Sequence, residues 1–444
     1  MSDFIERSKF SCALGGAITT ITAISKAIPI VHASGGCAAA LSNTYNLSSG
    51  YRGTGYCGGN MIPTSNITQS HIVFGGEEKL AGQIESTIRY IKGDLYIVVT
   101  GCQTELIGDD AVGVALKYRE NNVIGVSTPG FKGNTLRGYD EVLCTLIKEV
   151  VEKTDEKEEK KINLIGIVPG HDVFFKGNIE HLTDLLKRIG IRANTFFGDG
   201  ESIEKIKTYG RAKLTVVLSE TAGQLAAKAF ENVHKIPYIT TDLPIGPKAT
   251  EKFLKLIGEA LGIENKIIDR VVKDEKKYFY SYLERIVDAA SDLDFQRYAV
   301  IVADSYYAYP LTEFVSEELG WIPYFVAVND IEDDKLQEEY KNKFDRLTSY
   351  TKPEILFENK SGIIEKKLDL IFKEQTGSKY HDRPEPMFII GSVVERVLAK
   401  KYGAGFLSVA FPVSNRVVLN KGYAGFRGAL TLTEDLLSEL VSAR

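Results

Sequence analysis

The feature that most constrains this chain is a recurring pair: a short apolar, β-branched run that stops at a glycine, proline or serine, then a segment with helical spacing. Leu95-Tyr-Ile-Val-Val-Thr100 stops at Gly101-Cys102, and a helix pattern follows from Asp109 or Asp110. Ile162-Asn-Leu-Ile-Gly-Ile-Val168 stops at Pro169-Gly170 ahead of helical spacing over 179–189. Leu214-Thr-Val-Val-Leu218 reaches Ser219 before an alanine-rich stretch at 221–230. Tyr298-Ala-Val-Ile-Val-Ala303 precedes a helical 311–319, and Met387-Phe-Ile-Ile390 reaches Gly391-Ser392 before 393–400. Apolar runs of this length, alternating with helices, fit buried parallel strands in doubly wound sheets, with ligands expected beyond the carboxyl ends of the strands. One sheet does not easily hold so many units, and 444 residues suffice for several cores. The expected fold is α/β: three Rossmann-like domains with parallel sheets flanked by helices, over 1–155, 156–290 and 291–444, the last ending in a C-terminal helix. The mixed-charge run at 152–161, read as a solvated linker or helix end, marks the first boundary, and the polar stretch 291–296 marks the second.

Composition narrows the function. A hydrophobic fraction of 44% with 25% charged residues is that of a soluble globular chain. A formal net charge of -5 provides no basic field for nucleic acid. The apolar stretch 10–31 is broken by Cys12, Lys26 and Pro29 and reads as a poor membrane span; no secretory signal is visible. A cytoplasmic protein without a nucleic-acid or membrane partner is expected. The sequence has no Gly-x-x-x-x-Gly-Lys-Ser/Thr loop. Gly53-x-Gly-x-x-Gly58 matches the dinucleotide fingerprint in its letters, but no strand precedes it and Pro63 follows, so it reads as a loop coincidence.

The chemistry rests on cysteines. Five thiols in an intracellular-looking chain are expected to be ligands, catalysts or core residues rather than a disulfide framework. The absence of a Cys-x-x-Cys knuckle argues against structural zinc. Cys12 is followed by Ala13-Leu-Gly-Gly16, Cys37 is preceded by Gly35-Gly36, and Cys102 follows Gly101. Glycine beside cysteine lets backbone N–H groups approach sulfur and leaves room for a bulky inorganic cluster. An iron–sulfur cubane takes about four thiolates, so three leave one position open for Cys57, Cys144 or a second subunit. Cys144 sits in the amphipathic Tyr139-Asp-Glu-Val-Leu-Cys-Thr-Leu-Ile147 and reads as a small core hydrophobe. Cys57 sits in a glycine-rich loop, mobile or close to a partner. A cluster shared across an interface is the better arithmetic; on spacing alone, three unrelated buried thiols remain an equal alternative. Among the other polar groups, His32 reads as a satisfied core residue and His171 as part of a solvent-exposed loop. Asp109 and Asp110 read as caps of the next helix, worth ~1 kcal/mol, or as groups that position the cluster or the docking face.

In and around these cysteines stand Ile30-Val-His-Ala-Ser-Gly-Gly-Cys37, Ile72-Val-Phe-Gly-Gly76 and Thr100-Gly-Cys-Gln-Thr-Glu-Leu-Ile-Gly-Asp-Asp110. These segments resemble the component 1 proteins of nitrogenases and their relatives. Thr128-Pro-Gly-Phe-Lys-Gly-Asn134, Gly138-Tyr-Asp140, Ile167-Val-Pro-Gly170, Phe411-Pro-Val-Ser-Asn-Arg416 and Gly422-Tyr-Ala-Gly-Phe-Arg-Gly428 are similar to the β rather than the α subunit. The resemblance implies an oxidoreductase subunit in which Cys12, Cys37 and Cys102 bind a cluster clamped between this chain and a homologous α-type subunit in a heterotetramer. It implies a P-type (8Fe-7S) cluster, or a four-iron (4Fe-4S) one, fed by a separate ATP-dependent iron protein. Gly130 stands where some relatives carry a serine ligand, with Ser127 and Thr128 nearby. Ser219-Glu220 stands near where the α subunit holds the active-site cofactor, which implies that this chain carries electrons instead. A reductase of a tetrapyrrole or C–S substrate, or a scaffold for cofactor assembly, is the alternative. The substrate itself is not written in this chain.

Overall fold

The computed structural model describes residues 8–50, 62–292, 294–349, 351–373 and 384–442; Cys57 and the Gly53-x-Gly-x-x-Gly58 stretch lie outside them. The described strands form three sheets in which every pairing is parallel. The first contains β1 (Ala27–His32), β2 (Leu95–Thr100) and β3 (Val123–Val126) in that order. The second contains β4 (Glu158–Ile165), β5 (Arg192–Asn194), β6 (Ala212–Val217) and β7 (Tyr238–Thr240), ordered β5-β4-β6-β7. The third contains β8 (Tyr298–Ala303), β9 (Ile322–Val328), β10 (Glu354–Phe357), β11 (Met387–Gly391) and β12 (Gly405–Ser408), ordered β10-β9-β8-β11-β12. Parallel neighbours need crossovers, which helices supply, and helices on both faces leave every residue of β1 and β2 buried.

One apolar stretch gains a structure, and one local expectation changes. The apolar stretch 10–31 is helix Ala13–Ala23 followed by β1, and no described helix is long and apolar enough to cross a membrane. The charged run 152–161 is not all linker, because β4 already begins at Glu158. Its outer half is solvated, and its charges pair within the strand and across it: Glu158 meets Lys161 of β4 at 3.0 Å and also Arg192 on β5, and Lys213 on β6 meets Glu159 at 3.0 Å. Burial starts only at Ile162, where the apolar run starts.

Helix Ala13–Ala23 is buried along nearly its whole length against helix Thr135–Glu149, and glycines set the distance. A Cβ on Gly16 would lie 2.0 Å from the Thr135 carbonyl oxygen, and one on Gly138 would lie 1.9 Å from that of Ala13. Asp140, on the next turn, turns inward. Its Oδ1 accepts the backbone N–H of Ala226 at 3.2 Å, in the first turn of helix Gln224–His234. Burial pushes the Asp140 carboxyl up to about 7, partly offset by backbone N–H groups around Ala226. A carboxyl raised above its unfolded value of 3.8 loses stability as pH rises through that interval, because the native state must then ionise a buried group. Asp140→Asn keeps the acceptor oxygen. We therefore expect its stability relative to the parent to grow between pH 5 and pH 8, by a few kcal/mol at most. Denaturant titrations of both proteins at the two pH values check this, and a difference independent of pH would contradict it.

Candidate metal centre

The three expected ligands lie at the carboxyl edge of the first sheet, each at the start of a helix. In register, His32 at the end of β1 faces Thr100 at the end of β2. Just beyond these ends come Cys37, in the first turn of helix Gly35–Ser48, and Cys102, the first residue of helix Cys102–Leu106. The two strand ends are joined by the Gly101 N–H, which donates to the His32 carbonyl at 2.9 Å. Cys12 immediately precedes helix Ala13–Ala23 and bridges to Asn134, so the loop after β3 runs beside it.

Gly130 in that loop brings Cys12 and Cys102 together. Its N–H donates to Cys102 Sγ at 3.1 Å, and a Cβ on it would lie 3.1 Å from Cys102 Sγ and 3.5 Å from Cys12 Sγ. A side chain there would occupy the space between the two sulfurs. Cys37 is tied in differently. From the same helix, Tyr45 donates or accepts at 2.7 Å with Ser11 Oγ and at 3.0 Å with Thr135 Oγ1, directly behind Cys12. Burial pushes the Tyr45 phenol up to about 12, so it remains neutral. The segment before Cys12 is further anchored by Lys9, whose buried ammonium meets the buried Glu395 carboxylate at 2.7 Å. Sequence reasoning did not find these positioning groups, because their partners lie far along the chain.

The donor set suits a cluster better than a single ion. All three thiols are half-buried, and among the described residues no three His, Cys, Asp or Glu side chains converge on one point as ligands of a lone metal would. Soft sulfur ligands spread around a cradle kept free by glycine fit an iron–sulfur group with ligands still to come from outside. The starts of helices Ala13–Ala23 and Gly35–Ser48 favour negative charge on Cys12 and Cys37. Cys144 differs: it packs on the core, and burial, then Asp140, pushes its thiol up to about 12. Neither nearby hydroxyl is offered to the sulfurs. Ser127 donates to Glu105 at 2.5 Å and meets Lys132 at 2.7 Å, and Thr128 is buried and donates to the Thr100 carbonyl at 3.1 Å.

The paired aspartates divide their roles. Asp110 caps helix Ala111–Leu116 by accepting from Gly113 N at 2.8 Å. Asp109 instead accepts from His32 Nε2 at 3.0 Å and from the Gly76 N–H at 3.0 Å. Three separate segments of the chain thus meet at one carboxylate. His32 is fully buried and, as expected, satisfied: burial lowers its pKa, and the neutral ring donates from Nε2 while Nδ1 faces Ser65 Oγ at 2.9 Å.

His171 is not in a solvent-exposed loop. It is 5% exposed, stacked on Phe10 at 4.8 Å, and its Nε2 donates to Asp304 Oδ2 at 2.8 Å. The turn at Pro169-Gly170 points it inward, toward the strand ends of the second and third sheets. There Asp330 accepts from Ser305 N and Thr221 Oγ1, both at 2.7 Å, and burial with the nearby Asp304 charge pushes it up to about 6. Ser219 accepts from Ala222 N at 3.1 Å, and Glu220 is held by Lys343 at 2.7 Å. These groups fill the junction, leaving about 10 Å³, room for roughly one water.

Residues 12–441 match the family described as nitrogenase component 1 type oxidoreductase. The chain belongs to that family. As a nitrogenase component 1 type oxidoreductase it is similar to a nitrogenase molybdenum-iron protein beta chain of Methanococcus maripaludis, with 24% identity over 97% of this chain and 93% of that one. It is also similar to the nitrogenase iron-molybdenum cofactor biosynthesis protein NifE of Clostridium pasteurianum, with 29% identity over 65% of this chain and 60% of that protein. A solved structure described as nitrogenase Cp1 at pH 6.5 shares the fold, with a TM-score of 0.79 and 21% identity over all of this chain and 94% of the other. The α/β architecture of parallel sheets flanked by helices is that of component 1 proteins.

Proposed function

We propose that this chain is the β-type subunit of a nitrogenase-like reductase, in which Cys12, Cys37 and Cys102 hold a relay cluster shared with an α-type subunit. The observation that carries this reading is the cradle at Gly130, flanked by two half-buried thiols, with the third at the neighbouring strand end. A cluster bound there would supply reversible electron transfer. The protein's own contribution is positional. The Gly130 N–H stabilises negative charge on Cys102, the helix starts do so for Cys12 and Cys37, and Tyr45 holds two of the three segments in register.

The surroundings support a partner. Leu106, on the short helix that Cys102 starts, and Phe131, next to Gly130, are 76% and 62% exposed, a cost that a docking protein would remove while also excluding water from the thiols. The partner favoured is a homologous α-type chain, with an ATP-dependent iron protein as electron donor. The filled junction behind His171 supports an electron carrier rather than the chain that holds the substrate-reducing cofactor. The similarity to NifE favours a second reading, a scaffold subunit on which a cofactor is assembled and then released.

Anaerobic co-purification with the α-type partner, iron analysis and EPR test both readings. A P-type cluster predicts about eight irons per pair, a cubane about four, retained through turnover. Iron that leaves with a transferred cofactor supports the scaffold. A pair that stays colourless and iron-free after reconstitution would sink both.

A further inference from the structure

Away from the cysteines, a cavity of about 480 Å³ opens between helices Phe175–Arg188 and Asn265–Leu283 and the first turn of helix Gly425–Ser442. Its wall carries an unmet requirement. Glu275 is only 3% exposed; its Oε1 pairs with Arg188, whereas its Oε2 has no hydrogen-bond partner. A buried acceptor left without a donor is costly, and a bound molecule that brings one would relieve that cost. His181 offers a second acceptor. Its Nδ1–H donates to the Ala424 carbonyl at 3.2 Å, and burial lowers its pKa, leaving a neutral ring whose Nε2 accepts.

The opposite pole is adjacent. Arg427 lines the cavity, lies over the Tyr278 ring at 5.4 Å, and stops 3.8 Å from Glu275 Oε1, too far for a hydrogen bond. It belongs to the first turn of an 18-residue helix, whose N-terminal N–H groups favour negative charge. Lys187 adds a further cation to the wall, and Glu180 and Asp184 add carboxylates on the side of His181, where an ammonium would lie. Glu275 and Arg427 thus place an acceptor and a cation 3.8 Å apart, comparable to the separation of the two charged groups on one carbon of an amino acid. A simple amine would leave Arg427 unused, and a simple anion would leave the acceptors unmet and face Glu275. A metal ion fits poorly, since no three suitable ligands converge among the described residues.

We propose that this cavity binds a small molecule of the α-amino-acid class, its ammonium on Glu275 and His181 and its carboxylate on Arg427 and the start of helix Gly425–Ser442. The probes are the free L-amino acids, n-propylamine and propionate, titrated into the full chain with its partner and followed by calorimetry and melting temperature. At least one amino acid is expected to bind and to raise the melting temperature with concentration, while propylamine and propionate do neither at equal concentration. Glu275→Gln and the exposed-site variant Arg427→Ala should each weaken binding about tenfold or more, with iron content unchanged. Arg427→Ala places little of the fold at risk, so its result stands even if Glu275→Gln misfolds. The proposal is overturned if no amino acid binds, if propylamine binds as well as the best of them, or if Arg427→Ala binds like the parent.

Discussion

Replacing Cys102 with alanine is expected to leave a folded chain that no longer retains iron beside its partner. The thiol sits at the start of helix Cys102–Leu106, half-buried, and receives one N–H···S bond from Gly130. Its loss would remove one of the three proposed thiolate ligands, and Ser127, already bonded to Glu105 and Lys132, is not free to replace it. Stability should fall by only about 1–2 kcal/mol, the ordinary cost of a partly buried side chain without other partners. Cys144→Ala is the matched control: it should cost a similar amount and leave the iron in place. Iron analysis and EPR on both variants, with melting curves alongside, check the pair. Equal iron in the two would place the metal elsewhere.

The second large effect is purely structural. Gly138→Ala is expected to destabilise the protein by about 3 kcal/mol or more, because the added carbon meets the backbone of the facing helix rather than a side chain that can turn away. The Ala13 carbonyl stands 1.9 Å from that position, and the Ala17 amide nitrogen 2.7 Å from it. Helix Ala13–Ala23 would have to shift, and Cys12 at its head would move with it. The same substitution should therefore lower both the melting temperature and the iron content. Gly82→Ala, where nothing lies within 4 Å in an exposed part of helix Glu77–Tyr90, should do neither. Parallel thermal melts and iron assays of the two variants decide the matter.

Much of the fold was legible because its strands are short and apolar on both faces. The runs at Leu95 and Tyr298 became β2 and β8 residue for residue. β1 was harder to see, since Pro29 and the preceding polar helix residues disguise a strand whose six residues are all buried. The start of β4 was hidden by charges that only cross-strand partners explain. Side-chain roles that depend on distant residues were not legible. His171 follows a turn signal, yet it is buried by Asp304, 133 residues later, and by Phe10, from the start of the chain. Asp109 and Asp110 look alike in the sequence. One caps its own helix; the other is claimed by His32, 77 residues earlier, and its choice became visible only once β1 and β2 were side by side.

One feature of the cysteine cradle bears on how such a protein is made. The core runs unbroken from Leu14 through Leu182 to Leu432, and the three thiols lie at its rim rather than within it. Small zinc domains fold only as they bind metal, because the metal replaces a core they lack. This chain has its core already. Maturation would then be an ordered, two-stage affair, with the polypeptide waiting, folded and with its metal-binding edge open, for a cargo delivered later. A Cys102→Ala protein that still folds, at only that small loss of stability, would be a lasting specimen of that waiting stage.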